Sequence, residues 1–118
     1  MKGERKMFER TNNKEITGRN EKEKQNISTL RDFHLCHIEK WGVSWNQHSL
    51  VTLQRQSLSR ILYYSNLYKQ IVGVPGCILE FGVQWGAGLA QLISLRGIYE
   101  PYNYSRHIYG FDTFEGFV

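Results

Sequence analysis

Proline is scarce in this chain, with two in 118 residues, and cysteine is equally rare. Two cysteines without metal-site spacing exclude a disulfide-stapled scaffold and a zinc-finger framework. Cys36, on an apparent amphipathic helix, and Cys77, at the start of a strand, are expected to be small apolar core residues. His34 and His37 lack a second ligand pair downstream, so no metal site is expected there. No apolar run approaches the roughly 20 residues of a membrane span. The first residues, Met1 to Lys6, have no apolar stretch of the kind a secretory signal needs, so a cytoplasmic protein is expected. Asn26 and Asn103 match the glycosylation pattern, which has no meaning in that compartment. A basic block is also missing. Residues 1–40 hold ten Lys and Arg against seven Asp and Glu, and the signs alternate, as in Glu21, Lys22, Glu23 and Lys24. Phe8 is the lone aromatic before Phe33, so no stacking platform interleaves with the charges. Neither nucleic acid nor a membrane is an expected partner.

What is present is enough for one modest globular body: 41% hydrophobic and 14% aromatic residues. Residues 1–26 are polar and read as a flexible extension. Residues 27–73 read as a helical region. Ile27, Leu30, Phe33, His34, Cys36 and Ile38 form an imperfect helical face that Gly42 interrupts. Ser44 with Gln47 has the form of a capping box, which predicts a long helix directly after it. Leu50, Leu53, Leu58, Ile61, Leu62, Tyr64, Leu67, Tyr68 and Ile71 make its apolar stripe, and Gly73 with Pro75 ends it. Residues 74–118 then read as the start of a parallel α/β domain. A strand over 77–81, expected to be buried on both faces, runs into a glycine turn and a helix from Gly88. A polar, aromatic connection over 100–106 leads to a second strand over 108–112.

That order builds a nucleoside-cofactor pocket at the carboxyl ends of the strands. Gly82, Gly86 and Gly88 let a ligand approach the backbone, and the helix start offers free N–H groups to a carboxylate. Glu80, ending the first strand, is placed for an ammonium group. Asp112, ending the second, is placed for two ribose hydroxyls. The spacing Gly82-x-x-x-Gly86-x-Gly88 departs from the dinucleotide pattern G-x-G-x-x-G, and the lysine of a P-loop is missing. S-adenosylmethionine is therefore the expected cofactor, with a nicotinamide-binding domain as the disfavoured alternative. The bland reading is that the three glycines simply permit tight packing. Their conjunction with Glu80, Asp112 and the strand–helix–strand order weighs against it.

Glu80-Phe-Gly-Val-Gln-Trp-Gly-Ala-Gly88 together with Gly110-Phe-Asp-Thr-Phe-Glu-Gly-Phe117 closely resembles the N-terminal part of the macrocin O-methyltransferase family. The resemblance spans residues 45–118. It implies a class I, Rossmann-like, S-adenosylmethionine-dependent methyltransferase acting on hydroxyls of sugars and natural products. It assigns Glu80, Gly82, Val83, Gly86 and Gly88 to the cofactor loop and Asp112 to the ribose, with Thr113, Phe114 and Glu115 lining the pocket nearby. Trp85 stands where a small or basic residue is commoner in that family. The family's divalent metal (Mg) and its acceptor-activating base are implied for later strands, and no residue here supplies them. His107, ahead of the second strand, reads as a surface residue rather than a base. The chain is thus expected to be a truncated N-terminal portion that does not turn over, whose acceptor would be a sugar or other small molecule. The alternative is a non-catalytic remnant serving as a binding or interaction module, with its sheet edge open to pairing between copies.

Overall fold

The computed structural model describes residues 19–115, in two compact units that divide between Thr52 and Leu53. The flexible extension expected over residues 1–26 lies in large part outside the described residues, as do the last residues of the second motif.

In the first unit, helix α1 (Glu21–His37) starts ahead of Ile27, within the polar stretch. Its start is set by capping rather than by apolar period. The Asn20 side chain accepts the N–H of Glu23 at 2.9 Å, and the Glu23 carboxylate accepts the N–H of Asn20 at 3.0 Å. Glu21 and Glu23 also sit favourably at the positive end of the helix dipole. At the other end the rings of Phe33 and His37 stack with centroids 4.1 Å apart, and Trp41 packs beside them. His34 Nδ1 lies 3.1 Å from Thr52 Oγ1, and His37 Nδ1 lies 2.8 Å from the Phe33 carbonyl oxygen.

The capping box expected at Ser44 does not form. Ser44 closes a 3-10 turn (Gly42–Ser44), and its backbone (φ −96°, ψ 19°) lacks the extended geometry that aims a cap side chain at the next amides. Asn46 Oδ1 takes the Gln47 N–H instead, at 2.9 Å. A short helix α2 (Trp45–His48) and a second 3-10 turn (Ser49–Thr52) follow.

The second unit opens with the long helix α3 (Arg55–Ile71), which begins after Gln54, in extended conformation. Gly73 (φ +87°) turns the chain away as expected, and the Val74 N–H bonds the Ile71 carbonyl. Strand β1 (Ile78–Phe81) pairs in parallel with β2 (Ile108–Phe111), Ile78 opposite Ile108 and Phe81 opposite Phe111. Between them runs helix α4 (Ala87–Tyr99), completing a β-α-β unit. Packing is close where the helix meets the sheet. A Cβ at Gly110 would lie 2.8 Å from Val83 Cγ2 and 3.2 Å from Leu89 Cδ2, so a glycine in β2 lets these side chains cover the strand.

Two expectations about burial are corrected. β1 is covered on one face only: Ile78 and Glu80 are half-buried, while Leu79 and Phe81 are exposed. Helix α4 packs against the two-stranded sheet, and alternate side chains of β1 are left in solvent. Cys36 and Cys77 are likewise exposed rather than core, one on the outer side of α1 and the other before the strand pairing begins. Much of the α3 stripe is open too, including Leu58, Ile61, Leu62 and Leu67, whereas Tyr68 is 1% exposed.

Tyr68 is buried because it joins a polar knot with the connection between α4 and β2. Arg106 and Glu100, 4% and 8% exposed, pair through Nε to Oε2 (2.9 Å) and Nη2 to Oε1 (3.1 Å). The Tyr68 hydroxyl donates to Glu100 Oε2 at 2.7 Å, and Asn103 Nδ2 donates to Oε1 at 2.8 Å. Arg106 also donates to the carbonyls of Ile71, Val74 and Gly76. The knot fastens the end of α3 and the turn after it to the connection that delivers β2. One signal for it was available: an acid at the carboxyl end of a helix opposes the dipole and calls for a cation.

Candidate functional site

The site residues gather at the carboxyl ends of β1 and β2. Gly82 (φ +81°) leaves β1 with its N–H on the Phe111 carbonyl, 2.8 Å away. Val83 turns inward against Gly110, and Gly86 (φ +84°) is the N-cap of α4. The Gly86 N–H bonds the Val83 carbonyl at 2.8 Å, which closes the loop tightly before the helix begins. No side chain caps α4, so its first amides face the loop without a side-chain partner.

Glu80 reaches from β1 over the first turn of this helix. A Cβ at Gly88, itself buried, would collide with the Glu80 carboxylate, so glycine there lets that acid keep its place. The placement is electrostatically sound, with a carboxylate against a helix N-terminus. Glu80 Oε2 is shielded from solvent and has no hydrogen-bond partner among the described residues. A buried carboxylate oxygen without a donor is costly, so this atom marks a place where a donor belongs.

Asp112 follows β2 and bonds to both neighbouring loops. Its Oδ2 accepts the Gln84 N–H at 2.7 Å, and its Oδ1 accepts the Phe114 N–H at 3.1 Å. These bonds, that from Gln84 first, hold its carboxyl below the usual carboxylate range. Expected as a ribose acceptor, Asp112 is thus already engaged by backbone, although each carboxylate oxygen has two lone pairs and capacity remains. Thr113 Oγ1 lies 3.5 Å from Asp112 Oδ1 and accepts the Glu115 N–H at 3.4 Å. Phe114 and Glu115 are exposed, as is Trp85, at 90%.

Glu80, Gly82, Val83, Gly86, Gly88, Asp112, Thr113 and Phe114 therefore converge on one end of the sheet. His107 lies at the opposite end, exposed, with Nδ1 3.0 Å from the Ser105 carbonyl oxygen. Gln84 was missed by sequence reasoning because it contributes only its backbone. Among the described residues no three His, Cys, Asp or Glu side chains gather where they could hold a metal ion, and no helix is long and apolar enough to cross a membrane.

No protein-family profile matches the chain, and no curated protein matches it. Solved structures do. The crystal structure of CalS11, a calicheamicin methyltransferase, is 33% identical with a TM-score of 0.72, over 86% of this chain and 39% of that one. The apo structure of CalS11, described as a TDP-rhamnose 3′-O-methyltransferase of calicheamicin biosynthesis, is 32% identical with a TM-score of 0.71, over 84% of this chain and 43% of that one. This chain thus spans about two fifths of the length of those it matches. Its helices and β-α-β unit have the fold of an O-methyltransferase, the opening of a Rossmann-like class I sheet.

Proposed function

We propose that the second unit is the S-adenosylmethionine-binding start of an O-methyltransferase whose acceptor is a sugar hydroxyl. The observation that carries this reading is the convergence of the glycine loop, the unpartnered Glu80 oxygen and Asp112 at the carboxyl ends of two parallel strands. The residues fit the cofactor. Glu80 Oε2 offers an acceptor to the ammonium of the methionine end, and the uncapped start of α4 offers N–H groups and a dipole to its carboxylate. Asp112 keeps lone pairs for a ribose hydroxyl. Gly82 and Gly86 keep the loop free of side chains where the ligand must come close.

When bound, this cofactor supplies an electrophilic methyl group on a sulfonium. The chain's own part is to bind and orient it, so that an acceptor oxygen meets the methyl in line. A sugar acceptor is supported by the likeness to CalS11, a TDP-rhamnose 3′-O-methyltransferase, and by the macrocin-type pairing of the two motifs. No described residue is positioned as a general base.

Calorimetric titration of the full chain with S-adenosylhomocysteine, with NAD as the control, tests the reading. Saturable binding of the first, weakened by Glu80→Gln, is expected. Binding of NAD alone, or of neither by a folded chain, would sink it.

A further inference from the structure

Two non-glycine residues among those described have left-handed backbone, Gln84 (φ +54°) and Phe114 (φ +57°). They lie in different loops, after β1 and after β2, yet both give their N–H to the one Asp112 carboxylate. Left-handed backbone crowds a side chain against its own carbonyl, and a bulky aromatic there is an outlier. Such conformations persist where surrounding bonds over-determine them. In the first loop the hand recurs at alternate positions: Gly82 (φ +81°), Gln84 and Gly86 (φ +84°). The outer two are glycines, which adopt it freely. The middle one carries a side chain and is the one Asp112 holds.

We infer that Asp112 is a positioning residue for both strand-end loops, fixing Gln84 and Phe114 in left-handed backbone through one carboxylate. Its oxygens, 2.7 Å and 3.1 Å from the two nitrogens, set the shape of the glycine loop against the end of β2. Asp112 then acts on ligand binding by shaping the loop, in addition to any contact it makes itself. The bearing on the cofactor rests on the function proposed above; the clamp does not.

Amide hydrogen exchange on the full chain reads the clamp directly. In Asp112→Asn one acceptor oxygen becomes an NH2 donor, so at most one of the two amides keeps its partner. Exchange at Gln84 or Phe114 should quicken at least about ten-fold, with Leu92 in mid-α4 unchanged as the control for folding. Equal rates in both proteins would overturn the inference. A second arm leaves Asp112 intact: Gln84→Gly should raise the melting temperature by a few degrees, because glycine carries no left-handed penalty. No rise would count against it, and this arm stands even where Asp112→Asn does not fold. The third arm measures S-adenosylhomocysteine affinity. Asp112→Asn should weaken it, and adding Gln84→Gly should restore about five-fold. A loss that glycine leaves untouched would mean that Asp112 acts by direct ligand contact alone, which refutes positioning. A wild-type chain that binds no S-adenosylhomocysteine refutes the cofactor reading, while the exchange rates still decide the clamp.

Discussion

Replacing Arg106 by Met should destabilise the chain by about 3 kcal/mol. The guanidinium holds the Glu100 carboxyl down to about 2, against an ordinary 4.5, chiefly through its hydrogen bonds. A shift of that size corresponds to at most about 3 kcal/mol. Asn103 and Tyr68 also bond the carboxylate, which leaves about 2 kcal/mol of this to the guanidinium. The carbonyls of Ile71, Val74 and Gly76 lose a donor as well, which adds about 1 kcal/mol. Loss of one partner from a buried pair is costly because the other charge stays behind. Urea titration followed by far-UV circular dichroism reads the effect. With a slope of about 1.5 kcal/mol/M, the midpoint should fall by about 2 M. Glu100→Gln should cost a similar amount, and the double variant should cost clearly less than the sum. The pH dependence has a definite sign. Because the folded pKa of Glu100 is depressed, its contribution is full above pH 4.5 and disappears as pH falls to about 2. The penalty of Glu100→Gln should therefore vanish towards pH 2. Midpoint changes under about 0.3 M, or strict additivity of the two substitutions, would refute the account of the knot.

Tyr68 tests the same knot from the alkaline side. Burial first, then its bond to Glu100, pushes its hydroxyl up to about 12, so its contribution is intact below pH 10 and is lost as pH rises through about 12. Tyr68→Phe should cost about 2 kcal/mol at pH 7 and remove that alkaline loss, seen in melts from pH 9 to about 12. Gly88→Ala should displace Glu80 and weaken S-adenosylhomocysteine binding about ten-fold or more by calorimetry, with helix content kept. Its control is Gly97→Ala, with nothing within 4 Å of the added Cβ, which should stabilise by about 0.5–1 kcal/mol. Gly110→Ala should cost about 1–3 kcal/mol by urea titration, since its Cβ meets Val83 and Leu89. A neutral result there would mean that the α4–β2 contact is slack.

Elements whose cause is local were legible in the chain. Gly73 ends α3 because a left-handed residue stops a helix, and a helix follows the glycine turn, at Ala87 where Gly88 was expected. The parallel order of β1, α4 and β2 was legible because short apolar runs, glycine turns and helical patterns alternate at spacings that permit only a crossover. The same reading placed Glu80 and Asp112 at the ends of their strands, since strand ends follow from where the apolar run stops.

Features that depend on which surfaces meet emerge only in the folded chain. Ser44 has a cap's sequence, but the preceding 3-10 turn fixes its backbone away from a cap's geometry. Cys36, Cys77, Leu79 and Phe81 have core chemistry but face solvent, because burial needs a second surface and composition does not say where one is. Glu100 and Arg106 look like loop polarity until α3 brings Tyr68 and three carbonyls around them. The Asp112 bonds to Gln84 and Phe114 are likewise invisible in sequence. They join main-chain atoms of two loops, and backbone hydrogen-bonding groups are the same at every residue except proline.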